Sequence, residues 1–193
     1  MHCIIGVIHE EDLNVEEFCY RFLYDNEDYF EIEEEISFDE LPEYINKEIE
    51  TIESLEEQEW RKDFLKILKE GTDKEKIDAY ADYYGYDVDI ENNRIYHMRN
   101  PYGECDWFTI GGRWSGELKD LDGNGLNCIK VREINLSNPE TLPCGLYGII
   151  RQYKDEDWID YDNISFQDEV ENALQWSDIH DEELWMTLVD MHS

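Results

Sequence analysis

HCIIGVIH, residues 2–9, is a nearly continuous apolar run. Without polar alternation it reads as a strand covered on both faces, and so as a central one. The other run of this kind is LWMTLVDMH, residues 184–192. The two most apolar strands therefore lie at the two ends of the sequence. Set side by side in the middle of a sheet, they bring those ends together.

Between them the pattern switches between helix and strand periods. Asn14 with Glu17 three residues on is a capping-box-like start, and Val15, Phe18, Phe22 and Leu23 mark one face of a helix to about Tyr24. Residues 29–38 alternate Phe30, Ile32, Ile36 and Phe38 against Glu31, Glu33 and Glu35. That predicts a half-buried strand with an acidic outer face, and only Glu34 breaks the pattern. From about Asp39 to Glu70 the period becomes helical, with Leu41, Ile45, Ile49, Ile52, Phe64 and Leu68 as its apolar side. Glu48, Glu53, Glu56, Glu57 and Glu59 fill the rest. This reads as one long acidic helix (about 40–70), or as two with a break near 57–59.

Thr72 or Asp73 caps a shorter helix to Tyr84, closed by Gly85. Residues 86–99 read as a hairpin turning at Glu91–Arg94. Strands are expected at about 106–114 and 126–134, with the turn DLDGNG (120–125) between them. LYGIIRQY (146–153) and WIDY (158–161) read as a further hairpin, and a helix covers about 167–176. Tight turns make neighbouring strands antiparallel. The fold class is α+β: a mainly antiparallel sheet with the terminal strands central, packed by two to four helices. At 193 residues it reads as a single domain, 1–193, with the helical segment of about 39–85 as a candidate protruding subdomain.

Fifty acids against 16 bases give a net charge of −34, unevenly spread. Residues 1–60 hold 21 acids and only Arg21 and Lys47 as bases, while residues 155–193 hold 13 acids and no base. Self-repulsion on this scale works against compactness, so a composition this acidic suggests a use. The acids are interleaved with Phe, Tyr, Ile and Trp at regular spacing, which reads as the outer faces of ordered elements rather than as tails. No apolar run is long enough for a membrane span. There is no basic leader, and the first apolar run is too short for a signal peptide. Five cysteines (Cys3, Cys19, Cys105, Cys128 and Cys144) form no CxxC pair, which favours reduced, mostly buried thiols in a cytoplasm.

The densest stretch is NPYGECDWFTIGGRWSG, residues 100–116. Trp107, Phe108 and Trp114 crowd among four glycines, with Asp106 and Arg113 embedded. One reading is a bulged strand core in which Asp106 and Arg113 form a structural ion pair. The other is a ligand-contacting loop, in which Asn100, Asp106, Trp107, Arg113, Trp114, Asp190 and His192 line a pocket for a small, nucleotide-like molecule. Asp190 and His192, two apart on a strand, share one face. With His9 they would form an acid–base cluster if the end strands pair.

No third and fourth metal ligand is evident there, so neither a metal nor another cofactor is implied. DLDGNG fits the first six positions of a calcium loop, but position twelve is Val131, and the segment reads as a hairpin turn. Cys105 beside Asp106 is a poor nucleophile, because a neighbouring carboxylate raises a thiol pKa.

Residues 100–116 resemble the signature of a family found in phages, prophages and bacteria, an Asn-Pro pair followed by WDWYxIGGRWSG. The opening MHCIIGVIHEEDLNVEEF and the closing TLVDMHS resemble the same family's short apolar strand and its terminal VD-x-H motif. Cys105 stands where the pattern has an aromatic residue, and Phe108 where it has Tyr. The resemblance implies a phage or mobile-element setting and carries no reaction.

Charge density completes the expectation. Duplex DNA carries one charge per about 1.7 Å of axis, and a 193-residue globule has a radius of gyration of about 16 Å. Thirty-four net negatives on such a body approach that density. The expected function is an acidic nucleic-acid mimic of phage origin, cytoplasmic in the host, that inhibits a basic nucleic-acid-binding defence enzyme, either a CRISPR effector or a restriction nuclease. Glu31, Glu33, Glu35, Glu53, Glu56, Glu57, Asp155, Glu156 and Asp157 would face that partner. The alternative is a small-molecule or nucleotide-binding protein, or an enzyme, working at the glycine–tryptophan block.

Overall fold

A computed structural model describes residues 1–54, 59–137, 143, 146–162 and 164–193. Among them run five α-helices and ten strands in an α+β arrangement with mostly antiparallel pairing. The chain divides into two units, Met1–Glu27 with Tyr102–Ser193, and Asp28–Pro101.

In the first unit, β1 (His2–Glu10) lies between β10 (Leu184–His192), antiparallel to it, and β9 (Gly148–Arg151), parallel to it. The other edge of β10 carries β5 (Trp107–Ile110) at one end and β8 (Cys128–Lys130) at the other. The two end strands are thus central, in a register that runs from His2 opposite His192 to Glu10 opposite Leu184.

Both faces are covered. Ile4, Ile8, Met186 and Leu188 pack with Val170 and Ala173 of α5 (Phe166–His180). Ile5, Val7, Val189 and Met191 pack with Val15 and Cys19 of α1 (Val15–Cys19) and with Phe22 beyond it. This two-sided burial is why neither run alternates, and each buried Ile or Leu contributes about 1.5–3 kcal/mol. Asn14 caps α1 by accepting the Glu17 N–H, and Ser165 caps α5 by accepting that of Asp168.

Several expected elements are shorter than their sequence patterns. α1 stops at Cys19 and tightens into a 3-10 turn at Tyr20–Phe22. The strand expected over 106–114 ends at Ile110, because Gly111 and Gly112 take φ values of 73° and 48°. The strand expected over 126–134 is broken. Leu126 belongs to β7 (Gly125–Leu126), which pairs with β6 (Leu118–Lys119), while a 3-10 turn follows β8 at Val131–Glu133. That turn sends Val131 and Ile134, three residues apart, into the same core. WIDY contributes one antiparallel bridge, Ile149–Asp160, because the Asp160 carboxylate accepts the Asp162 N–H and turns the chain away. DLDGNG is the turn joining β6 to β7, closed by the Asp120 carboxylate on the N–H groups of Asp122 and Asn124.

In the second unit, β4 (Arg94–Arg99) pairs antiparallel with β2 (Glu31–Ser37) on one side and β3 (Asp87–Asp89) on the other. Glu34, the residue out of phase in the sequence, sits where the β2 register shifts. The irregularity lets its carboxylate accept the Tyr86 hydroxyl at 2.6 Å.

The acidic helical stretch forms α2 (Leu41–Ser54) and α3 (Glu59–Glu70). Glu53 and Lys69 are ion-paired, whereas 16 residues along one helix would separate them by about 24 Å. Of the two alternatives, the chain takes the pair of helices. α4 (Asp73–Tyr84) carries a capping box between Thr72 and Glu75 and closes on Gly85 at a φ of 74°. Ile36, Leu41, Ile45, Ile52, Phe64, Leu68 and Ile95 form this unit's core. No helix among the described residues is long and apolar enough to cross a membrane.

Candidate functional site

The antiparallel register of the first unit sets His192 beside Trp107 of β5 and beside His2 of β1, all on one sheet face. The three rings touch. His192 stacks on Trp107 at 5.4 Å between centroids and 5° between planes, and His2 meets both edge-on, at 5.2 Å from Trp107 and 4.9 Å from His192.

Two carboxylates orient the imidazoles. Asp190, 1% exposed, accepts the His2 Nδ1 proton on Oδ1 at 2.9 Å and the Arg113 backbone N–H on Oδ2 at 3.0 Å. Asp106 Oδ2 accepts from His192 Nδ1 at 3.3 Å. An ionised carboxylate only accepts, so each Nδ1 carries a proton. Neither Nε2 has a hydrogen-bond partner among the described residues.

The glycines let the loop reach this carboxylate. A Cβ on Gly112 would lie 2.4 Å from Asp190 Cβ and 2.5 Å from its Oδ2. Gly111 abuts Asn127 in the same way, and Asn127 Oδ1 accepts the Gly116 N–H at 2.8 Å. Asp190 and Asn127 therefore hold the two ends of the turn that carries Arg113 and Trp114. The two sequence features singled out separately, IGGRW and VD-x-H, are one physical unit.

The ion pair expected between Asp106 and Arg113 is not formed: Asp106 bonds His192, and the Arg113 guanidinium is exposed without a partner among the described residues. His9 does not join Asp190 and His192 either, because the antiparallel register places it opposite Trp185. There it is 4% exposed. Its Nδ1–H donates to the Glu10 carbonyl at 2.7 Å, and its Nε2 accepts the Thr187 hydroxyl at 2.9 Å. Burial pushes the His9 pKa down, against the opposing pull of the Glu10 carbonyl. Asn100 is buried and belongs to the second unit, while the other six candidates belong to the first.

The sequence reading missed His2 and Asn127. The signal for His2 was present: once the end strands pair antiparallel, a polar residue at 192 needs a neighbour at 2. Cys105 is fully buried, and burial, then Asp106 and Glu104, push its thiol up to about 12. Among the described residues no group of three or more His, Cys, Asp or Glu side chains is arranged to hold a metal ion.

The acidic candidates divide between the units. In the second, Glu31 is exposed opposite Arg99, Glu33 pairs with Arg99 at 2.9 Å and His97 at 3.4 Å, Glu35 pairs with Arg94, and Glu53 with Lys69. Glu56 and Glu57 lie outside the described residues. In the first, Asp155 ends a 3-10 turn at a φ of 57°, Glu156 pairs with Arg151 at 3.1 Å, and Asp157 pairs with Arg21 at 2.8 Å.

The chain matches no protein-family model, no curated protein and no solved structure.

Proposed function

We propose that this chain binds a small anionic, nucleotide-like ligand at the His2–Trp107–His192 surface and moves protons on it. One observation carries the reading: two imidazoles 4.9 Å apart, each fixed through Nδ1 by its own carboxylate, each with Nε2 unengaged among the described residues. Two imidazoles so placed can accept a proton from a ligand and return one. The exposed Arg113 guanidinium, without a partner among the described residues, supplies the charge for a phosphate or carboxylate group. Trp107, 42% exposed, supplies ring surface for a base.

The test is a titration of the isotope-labelled protein with 5′-AMP, watching the His2 and His192 ring signals. Saturable shifts of both, lost in Arg113→Ala, are expected. Rings that ignore the nucleotide would sink the reading.

A second reading rests on charge. With 16 bases for 50 acids, pairing every base would still leave a net charge of −34 uncompensated. On this reading the protein is a nucleic-acid mimic in a phage or mobile-element setting that inhibits a CRISPR effector or restriction nuclease through fast, salt-sensitive association. Reversing charge at Glu53, Glu56 and Glu57 separates the two: it spares AMP binding, and it abolishes capture of a basic nucleic-acid-binding protein.

A further inference from the structure

In the second unit, a cavity of about 390 Å³ opens where the first two turns of α2 and the first turn of α4 meet the last turn of α3. Its volume lies within the range of about 300–1,000 Å³ typical of small-molecule sites. The lining is mostly apolar: Leu41, Ile45 and Leu68 are buried, and Phe38 and Ile77 are half-buried. An apolar side chain placed among them would leave water on several sides.

Three polar side chains complete the lining, Asn46, Asp73 and Lys76. Asp73 and Lys76 stand three apart in the first turn of α4, a spacing at which opposite charges on a helix commonly pair. They do not pair here. Neither side chain has an ion-pair or hydrogen-bond partner among the described residues, and the Asn46 side-chain amide is uncommitted in the same way.

This arrangement of charge narrows the ligand. A simple anion drawn by Lys76 would also meet Asp73, and a simple cation drawn by Asp73 would meet Lys76. A molecule that carries both charges beside an apolar group complements every part of the lining.

We infer that this cavity binds a free α-amino acid with an apolar side chain. Its carboxylate lies against Lys76 and the Asn46 amide, its ammonium against Asp73, and its side chain among Leu41, Ile45, Leu68 and Ile77. The site is independent of the His2 surface, whose residues all belong to the first unit.

Three probes of nearly one shape separate the contributions. L-Phenylalanine carries both charges, its amide lacks the carboxylate, and N-acetyl-L-phenylalanine lacks the ammonium. In protein labelled with ¹³C at the isoleucine methyl groups, the aromatic ring of a bound probe shifts the signals of methyls beside it. L-Phenylalanine should move the Ile45 and Ile77 signals to saturation, each identified by its disappearance in Ile45→Val or Ile77→Val. The amide and the N-acetyl form should each bind about tenfold more weakly.

Two variants assign the charges. Lys76→Met should weaken L-phenylalanine about tenfold and leave the amide no weaker. Asp73→Asn should weaken L-phenylalanine as much and leave N-acetyl-L-phenylalanine no weaker. A variant that merely deformed the cavity would weaken all three probes alike. Equal binding of the three probes, no saturable movement of either methyl signal, or L-phenylalanine binding untouched by Lys76→Met overturns the proposal.

Discussion

At one end of the β1–β10 pair, His2 and His192 stand partly exposed, each fixed by a carboxylate. At the other end His9 is buried and bonded through both nitrogens to uncharged partners, a carbonyl and a hydroxyl. The strands, the pairing and the residue type are the same. What differs is the face and the neighbours. On the first face a carboxylate meets an imidazole where water also reaches; on the second, apolar packing removes the water and leaves only neutral acceptors and donors. The same side chain leaves its Nε2 without a partner among the described residues in one place and has both nitrogens engaged in the other.

The strongest break of this comparison is Gly112→Ala. Its Cβ has no room against Asp190, and its φ of 48° is strained for a side chain. Unfolding free energy should fall by about 3 kcal/mol or more in urea denaturation, and the His2 ring signal should shift while that of His9 stays. Thr187→Val is the mirror experiment. It keeps the shape and leaves His9 Nε2 a buried acceptor without a donor, at a cost of about 1–3 kcal/mol. The His9 signal should then move and that of His2 should not.

A third test uses pH. The folded pKa of His9 lies below its ordinary 6.5, so the unfolded chain takes up the proton first. The contribution of His9 to stability is full above pH 6.5 and is lost as pH falls below it. Glu10, raised by burial and by Glu182, acts in the opposite sense at lower pH. The measurement is therefore the difference between wild type and His9→Gln in thermal unfolding scans across this range, where the variant's profile should be flatter.

The smallest effect belongs to neither end. Glu53→Gln removes an exposed ion pair between α2 and α3. Its change in melting temperature should vanish near 1 M salt, where the Debye length is about 3 Å.

Much of the fold was legible because its signals are local or periodic. Thr72 or Asp73 and Gly85 announce α4, and the two unalternating runs announce central strands. Glu34 marks an irregularity within β2. The candidate site was legible in its parts and hidden in its assembly. Asp190 and Arg113 are 77 residues apart, and His2 and Asp190 are 188 apart. No local pattern reports that a carboxylate on one strand will hold a distant loop. The aromatic and glycine density of residues 107–116 suggested a continuing strand, whereas Gly111 and Gly112 end it in order to approach Asn127 and Asp190. Asp106 and Arg113 looked like mutual partners for want of any visible alternative, and the alternative was a histidine 86 residues away.

The pairing of β1 with β10 has a consequence for synthesis. β1 leaves the ribosome about 180 residues ahead of its antiparallel neighbour, so the nascent chain must shelter an apolar ribbon while everything between is translated. All of Asp28–Pro101 has emerged by then, and closing a loop this long is slow. Throughout that wait HCIIGVIH lacks the β10 edge with which it pairs in the folded chain.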